Sequence, residues 1–232
     1  MAIEIIDKKY LGLFQFDCPA PHQNLDFVNC QFTGCSIGLE THDLALRPRA
    51  AHLTFRNCIQ AGCSLRGVIV EDTVVDGLKC SSLLQTWAAV FKHVTLRGKI
   101  DRLMLSDLFH PGEPDSKFQL VVAQANAKYY ASVDWAIDIR EAEFKDFDCR
   151  GVPSRLVRRD PETQVMVTRS RVLACGDAIT AGGQFWAGML KAFLGRESYA
   201  DAIYAAPKRD PRFKELVAGL QELRRNGVTE PD

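Results

Sequence analysis

The chain repeats itself every five residues, and that period restricts its folding more than any other feature. Leu25-Asp26-Phe27-Val28-Asn29, Cys30-Gln31-Phe32-Thr33-Gly34 and Cys35-Ser36-Ile37-Gly38-Leu39 align as stacked pentads. The frame restarts at Leu53 and runs through LTFRN, CIQAG, CSLRG, VIVED, TVVDG and LKCSS to Ser82. It returns as AVFKH and VTLRG over 89–98, then as IDIRE, AEFKD and FDCRG over 137–151. The first position is apolar in 13 of the 14 units (not Thr73), and the third is apolar in 13 (not Gln60). At 47% apolar residues overall, chance would give about 6 or 7 per column. Gly fills the fifth position in six units, and Asn, Asp or Ser in five more.

These columns have a direct physical reading. Residues one and three of an extended trio point to the same side, so both face one interior. Gly, Asn or Asp two residues later supplies the backbone freedom that a corner needs. An α-helix cannot keep a strict five-residue period, and CSLRGVIVEDTVVDG has poor helical propensity. The pattern predicts short strands joined by corners and stacked at about 4.8 Å.

The pentads resemble those of the pentapeptide-repeat family, whose units read A(D/N)LXX. That resemblance implies a mainly β chain built as a right-handed parallel β-helix with four sides. Cysteine and bulky Leu, Val or Ile often replace the small first residue here, and the frame covers about 30% of the chain. Segments 39–52, 83–88 and 99–136 break it. The expected organisation is therefore an N-terminal strand or cap over 1–24 and a β-helix over 25–151 with insertions at 39–52 and 99–136. A terminal strand and helical cap then occupy 152–232.

A four-sided coil of 20 residues would stack Phe55 on Val75, Leu53 on Thr73 and Cys58 on Leu78. It would also pair Arg56 with Asp76 outside and lay Gln60 over Cys80, leaving Gln60 as an interior amide in need of a partner. Beyond Gly151, a turn at Asp160-Pro161 should lead into a strand Gln164 to Leu173. A helix should carry Phe185, Trp186, Met189, Leu190, Phe193 and Leu194 on one face, after a turn at Gly182-Gly183. A short helix is expected from Ser198 to Ala205. A last one should be capped by Asp210, with Phe213, Leu216, Val217, Leu220 and Leu223 on one stripe. Such helices would close the coil or join two copies as a homodimer.

Composition narrows the function. With 29 basic and 29 acidic residues the net charge is zero, which argues against a nucleic-acid partner. The resemblance also implies, for some members, protection of DNA gyrase by an acidic rod that imitates DNA. Residues 25–151 hold 14 basic against 16 acidic residues, too nearly balanced for such a rod. Met1 to Phe16 lacks the pattern of a secretory signal, and no apolar run approaches the roughly 20 residues of a membrane span. The expectation is a cytoplasmic protein outside the membrane, with its eight cysteines reduced. Cys30, Cys35, Cys58 and Cys63 could be grouped as a zinc site. Their four-residue gaps are unlike zinc knuckles, and as first-position residues they read as core.

No nucleophile elbow, phosphate loop or dinucleotide fingerprint is present, and the five histidines lack metal-ligand spacing. No cofactor is implied. The carboxylates of 138–148 occupy outward pentad positions and read as a solvated face. Arg155, Arg158, Arg159, Arg169 and Arg171 form the candidate partner-binding surface, the last two alternating on the expected strand. The leading reading is a non-enzymatic module that binds another protein, in a protective or immunity-type role. The alternative is an enzyme with its site between the coils and the 99–136 insertion, using Asp107, His110, Tyr129, Tyr130 and Asp134.

Overall fold

A computed structural model describes residues 2–110, 112–113, 116–195 and 199–231. The five-residue period becomes tiers of short strands in one curled, largely parallel sheet. The first tier holds β1 (Ile3–Ile6), β2 (Lys9–Leu11) and β3 (Phe14–Phe16), and the second β4 (His22–Val28), β5 (Gln31–Thr33) and β6 (Ser36–Gly38). Then follow β7 (Arg49–Ala61), β8 (Ser64–Arg66), β9 (Ile69–Glu71), β10 (Val74–Cys80), β11 (Leu84–Trp87), β12 (Val90–Lys92) and β13 (Val94–Ser106). After an insertion come β14 (Ile137–Asp138), β15 (Ala142–Cys149) and β16 (Val157–Arg158). Residues 2–16 therefore belong to the sheet as a full tier.

The register is close to that expected from the pentads. Val75 pairs with Phe55, Leu78 with Cys58, Cys80 with Gln60 and Asp76 with Arg56. The Arg56 side chain does not turn to Asp76, however. It reaches back across the sheet to Asp26 and Glu4, while Arg97 of the next tier bonds Asp76 at 2.9 Å.

Most corners turn on a residue at positive φ. Ten of the 14 pentad fifth positions have it, from Asn29 at 55° and Gly34 at 59° to Gly98 at 65° and Gly151 at 76°. Asp7, Gly12 and Asp17 carry the same five-residue spacing into the first tier. Of the nine non-glycine residues at positive φ among the described residues, eight are Asn, Asp or His, the types that tolerate this region best. The conformation aims the amide at the adjoining tier: Asn29 N–H donates to Arg56 O (2.8 Å), Gly34 to Ala61 O (2.7 Å) and Gly67 to Trp87 O (2.7 Å).

The first-position cysteines complete the corners. Their thiols donate to carbonyls of the preceding tier, Cys30 to Ile5 O (3.3 Å), Cys58 to Phe27 O (3.5 Å) and Cys63 to Phe32 O (3.4 Å). Thr73, the exception in that column, uses its hydroxyl to bond Glu71 O at 2.8 Å. Gln60 is buried as expected, its amide donating to Ser82 O (2.6 Å) and accepting from Cys63 N–H (3.2 Å).

Two insertions interrupt the stacking, and both are shorter than the sequence suggested. β7 begins at Arg49 and β13 continues to Ser106, so only 39–48 and 107–136 leave the sheet. The second contains α1 (Lys117–Tyr130), whose N-terminus is capped by Ser116. The insertions pack together: Leu39, Ala88, Phe109 and Val122 form a small core, and His42 stacks on Phe118 at 4.3 Å. Buried Arg47 ties them to the corner, donating to Gly67 O (2.7 Å), Ala88 O (3.2 Å) and Asn126 Oδ1 (3.0 Å).

At the far end β17 (Gln164–Thr168) pairs antiparallel with β18 (Asp201–Ala205), and β18 meets β15 at Ile203 and Cys149. Two expectations are corrected here. The strand from Gln164 stops at Thr168, because Arg169–Ala174 winds into α2 and buries Val172 in the terminal core. The segment expected as a short helix forms the strand β18 over Asp201–Ala205, Ser198 lying outside the described residues. Its side is taken up by β17 on one edge and β15 on the other, and pairing overrides local propensity.

α3 (Gly183–Leu194) and α4 (Phe213–Arg225) form as the apolar stripes predict, the first after the Gly182-Gly183 turn. The cap expected at Asp210 is corrected: α4 starts at Phe213 with Arg212 at its N-cap position, and Asp210 lies two residues earlier, accepting from Arg212 N–H at 2.7 Å. Trp186 is buried between the helices and donates to Leu216 O at 2.9 Å. That contact requires Gly219, where an added Cβ would lie 2.4 Å from Gly182 O and 2.7 Å from Trp186 Cδ1. Gly219→Ala should therefore cost about 2–3 kcal/mol in urea unfolding. Gly188→Ala on exposed α3 meets nothing within 4 Å and should leave stability equal or higher, about 0.5–1 kcal/mol, by helix propensity.

Candidate functional sites

The five arginines expected to form one surface separate into different structural roles. Arg155 and Arg158 are exposed, Arg155 in the turn Ser154–Leu156 and Arg158 on β16. Arg159 is half-buried and reaches Pro231 O at 3.5 Å. Arg169 opens α2 and spreads its guanidinium over Phe193 O (3.3 Å), Leu194 O (3.1 Å) and Tyr199 O (3.2 Å). It thus satisfies carbonyls that α3 leaves open at its C-terminal end, where a cation is also favoured by the helix dipole. Arg171 bonds Glu230 at 3.0 Å and Gly227 O at 3.3 Å. Helical backbone therefore replaces the shared strand face expected for Arg169 and Arg171.

Arg158 belongs to a layered cluster that the sequence did not suggest. Its guanidinium lies 4.2 Å over the Trp135 ring, and His93 stacks on Trp135 with ring centres 4.7 Å apart. His93 Nε2 lies 2.7 Å from Asp134 Oδ1 and Nδ1 lies 3.2 Å from Asp72 Oδ1. The bond from His93 holds the Asp134 carboxyl below the usual carboxylate range. With both His93 ring nitrogens held by carboxylates and its ring on Trp135, the cluster is a hydrogen-bonded, stacked pillar on the sheet. Among the described residues, no group of three or more His, Cys, Asp or Glu could hold a metal ion.

The polar residues considered for catalysis do not converge either. Tyr130 OH accepts from Phe91 N–H (3.2 Å), Tyr129 donates to Glu71 (2.9 Å), Asp107 accepts from Tyr199 (3.0 Å), and His110 lies edge-on to Phe109. Tyr199, the partner of Asp107, lines a cleft of about 290 Å³ between β15 and the terminal unit, together with Asp148, Cys149 and Arg150. Arg150 is spent on Asp148 there and lies over the Tyr199 ring at 5.8 Å. Burial, with Asp148 nearby, pushes the Cys149 thiol well above its ordinary range, the reverse of an activated nucleophile.

A third feature is apolar and exposed. Ile3, Ile6, Leu11, Leu13 and Phe14 are 64%, 46%, 79%, 54% and 65% accessible, and all lie in the first tier. β1, β2 and β3 each pair only with the strand above, β4, β5 and β6, so among the described residues their other edges are open. An open strand edge beside exposed apolar side chains is the chemistry of strand addition. Compared with family models, curated proteins and solved structures, the chain has no match.

The buried thiols and phenols make stability depend on alkaline pH. Burial raises Cys58 from 9.0 to about 11, and raises Cys149, Tyr129, Tyr130, Tyr199 and Tyr204 as well. Each folded pKa exceeds its unfolded value. For Cys58, stabilisation is full below its unfolded pKa of 9.0 and is lost as pH rises through about 11. Urea midpoints measured from pH 7 to 10.5 should fall above pH 9, more gently in Cys58→Ala; an identical fall in both proteins would contradict the assignment.

Proposed function

We propose that the curled sheet is a right-handed, four-sided β-helix of the pentapeptide-repeat kind, and that the protein is a non-enzymatic module that binds another protein. The register of 19 to 22 residues between uninterrupted tiers supports the first part, since a four-sided coil of pentads needs about that length. One observation carries the second part: five exposed large apolar residues share the tier whose strands have an open edge. The occupant is a partner's exposed strand, added along β1–β3 with apolar side chains on Leu11 and Phe14. The stripes of α3 and α4 are buried within the chain, which favours this end over the C-terminal helices as the place of contact.

The dispersed polar residues of the insertion weigh against the catalytic alternative, as does the protonated state of the Cys149 thiol. The near-neutral repeat region weighs against the DNA mimic. A protective or immunity-type role is compatible with strand addition.

The test compares two double variants. Leu11→Lys with Phe14→Lys should weaken the affinity for a partner purified on the wild-type protein by at least about tenfold, through lost apolar burial. Arg155→Glu with Arg158→Glu should leave it within about twofold. The reverse pattern would move the docking surface to the arginines. Sedimentation at high concentration distinguishes a second copy of the chain as partner.

A further inference from the structure

The interior of the curled sheet is not filled. An elongated void of about 280 Å³ runs between the tiers, bounded by residues from His22 to Ile137. It passes five successive tiers, so at about 4.8 Å per tier it is roughly 19 Å long. Phe55, Leu65 and Val75 line it and remain only half-buried, although they occupy inward pentad positions. An enclosed apolar void of about 150 Å³ is enough to take up benzene.

The few polar groups along the wall are nearly all satisfied. Gln60 bonds Ser82 O and Cys63 N–H, Ser64 bonds Ser36, Thr73 bonds Glu71 O, and Thr86 bonds Met104 O. His22 is different. Its Nε2 is buried and has no hydrogen-bonding partner. His22 precedes the left-handed corner at Asn24 by two residues, which places it in the inward third position where other tiers carry apolar side chains. Its register partner is the small Ala50.

We propose that this void is a binding site for an unbranched aliphatic alcohol of about ten non-hydrogen atoms, the hydroxyl meeting His22 Nε2 and the chain lying along the sheet interior. The size follows from scaling the benzene cavity to this one. The void's length against its volume favours a linear chain over a fused ring. A hydroxyl can donate or accept, so it suits either tautomer of His22. A carboxylate would lose its hydration for a single partner. The inference is independent of protein binding at the first tier.

Calorimetric titration of the full chain with 1-alkanols from hexanol to tetradecanol tests it. One molecule should bind per chain, with affinity rising per carbon up to about nonanol or decanol and then falling. Nonanoate should bind at least about tenfold more weakly than 1-nonanol, and His22→Phe should weaken 1-nonanol by about tenfold. Val75→Phe places a ring in the void and should abolish binding while melting cooperatively; Val70→Phe serves if that variant does not fold. Absence of saturable binding to the wild-type protein would overturn the site. So would affinity that keeps rising to tetradecanol, or undiminished binding to a folded, filled variant. Equal affinity for nonanoate, or no effect of His22→Phe, would overturn the assigned head group.

Discussion

Most corners of the tiers turn on single residues in the left-handed backbone conformation, and the stacking of the sheet depends on that placement. A residue at φ near 60° turns the chain from one short strand into the next and aims its N–H at the neighbouring tier. The trio before it is then free to be extended, with its first and third side chains inward. The carbonyls at the corner are met by backbone amides, and additionally by a thiol where the first residue is cysteine. Cysteine suits that position because it is small, apolar enough to bury and still a weak donor. Thr73 meets the same requirement with a hydroxyl.

The regular sheet then determines where irregular parts can attach. Among the described residues, Ala88 is the single corner residue at positive φ that is not Gly, Asn, Asp or His. It is also where both insertions dock, with its carbonyl accepting from Arg47 and Asn126. At the other end β18 is added to β15, and the buried stripes of α3 and α4 cover the pair it forms with β17. The covered end and the open first tier give the molecule its asymmetry, and the proposed docking surface depends on it.

The pentad columns made the stacked strands and their register legible in advance, because inward burial and corner geometry leave separate marks in sequence. The first tier escaped notice because Lys8 and Gln15 interrupt both apolar columns. With no strand on the other edge of the first tier among the described residues, these positions are under less pressure to be apolar, and Lys8 is exposed. The five-residue spacing of Asp7, Gly12 and Asp17 was the available signal. α1 has a capping Ser116 and buried Val122, Asn126 and Tyr130 at four-residue intervals, a pattern obscured by its exposed Leu120 and Val121. β18 and α2 were misread because partners distant in sequence decide them. The arginines are near one another in sequence, but Arg169 and Arg171 lie in α2 and Arg158 on β16, and Trp135 joins Arg158 to His93 across tiers, which no local pattern records.

The most direct test of this account is the energetic cost of a side chain at a corner where only backbone conformation is at stake. Gly62 sits at φ +65°, and an added Cβ would meet nothing within 4 Å. The account predicts that urea unfolding of Gly62→Ala shows a loss of about 1–2 kcal/mol, the cost of forcing an alanine into the left-handed region. A Gly62→Ala protein as stable as the parent, or more stable, would contradict the claim that left-handed corners organise the fold.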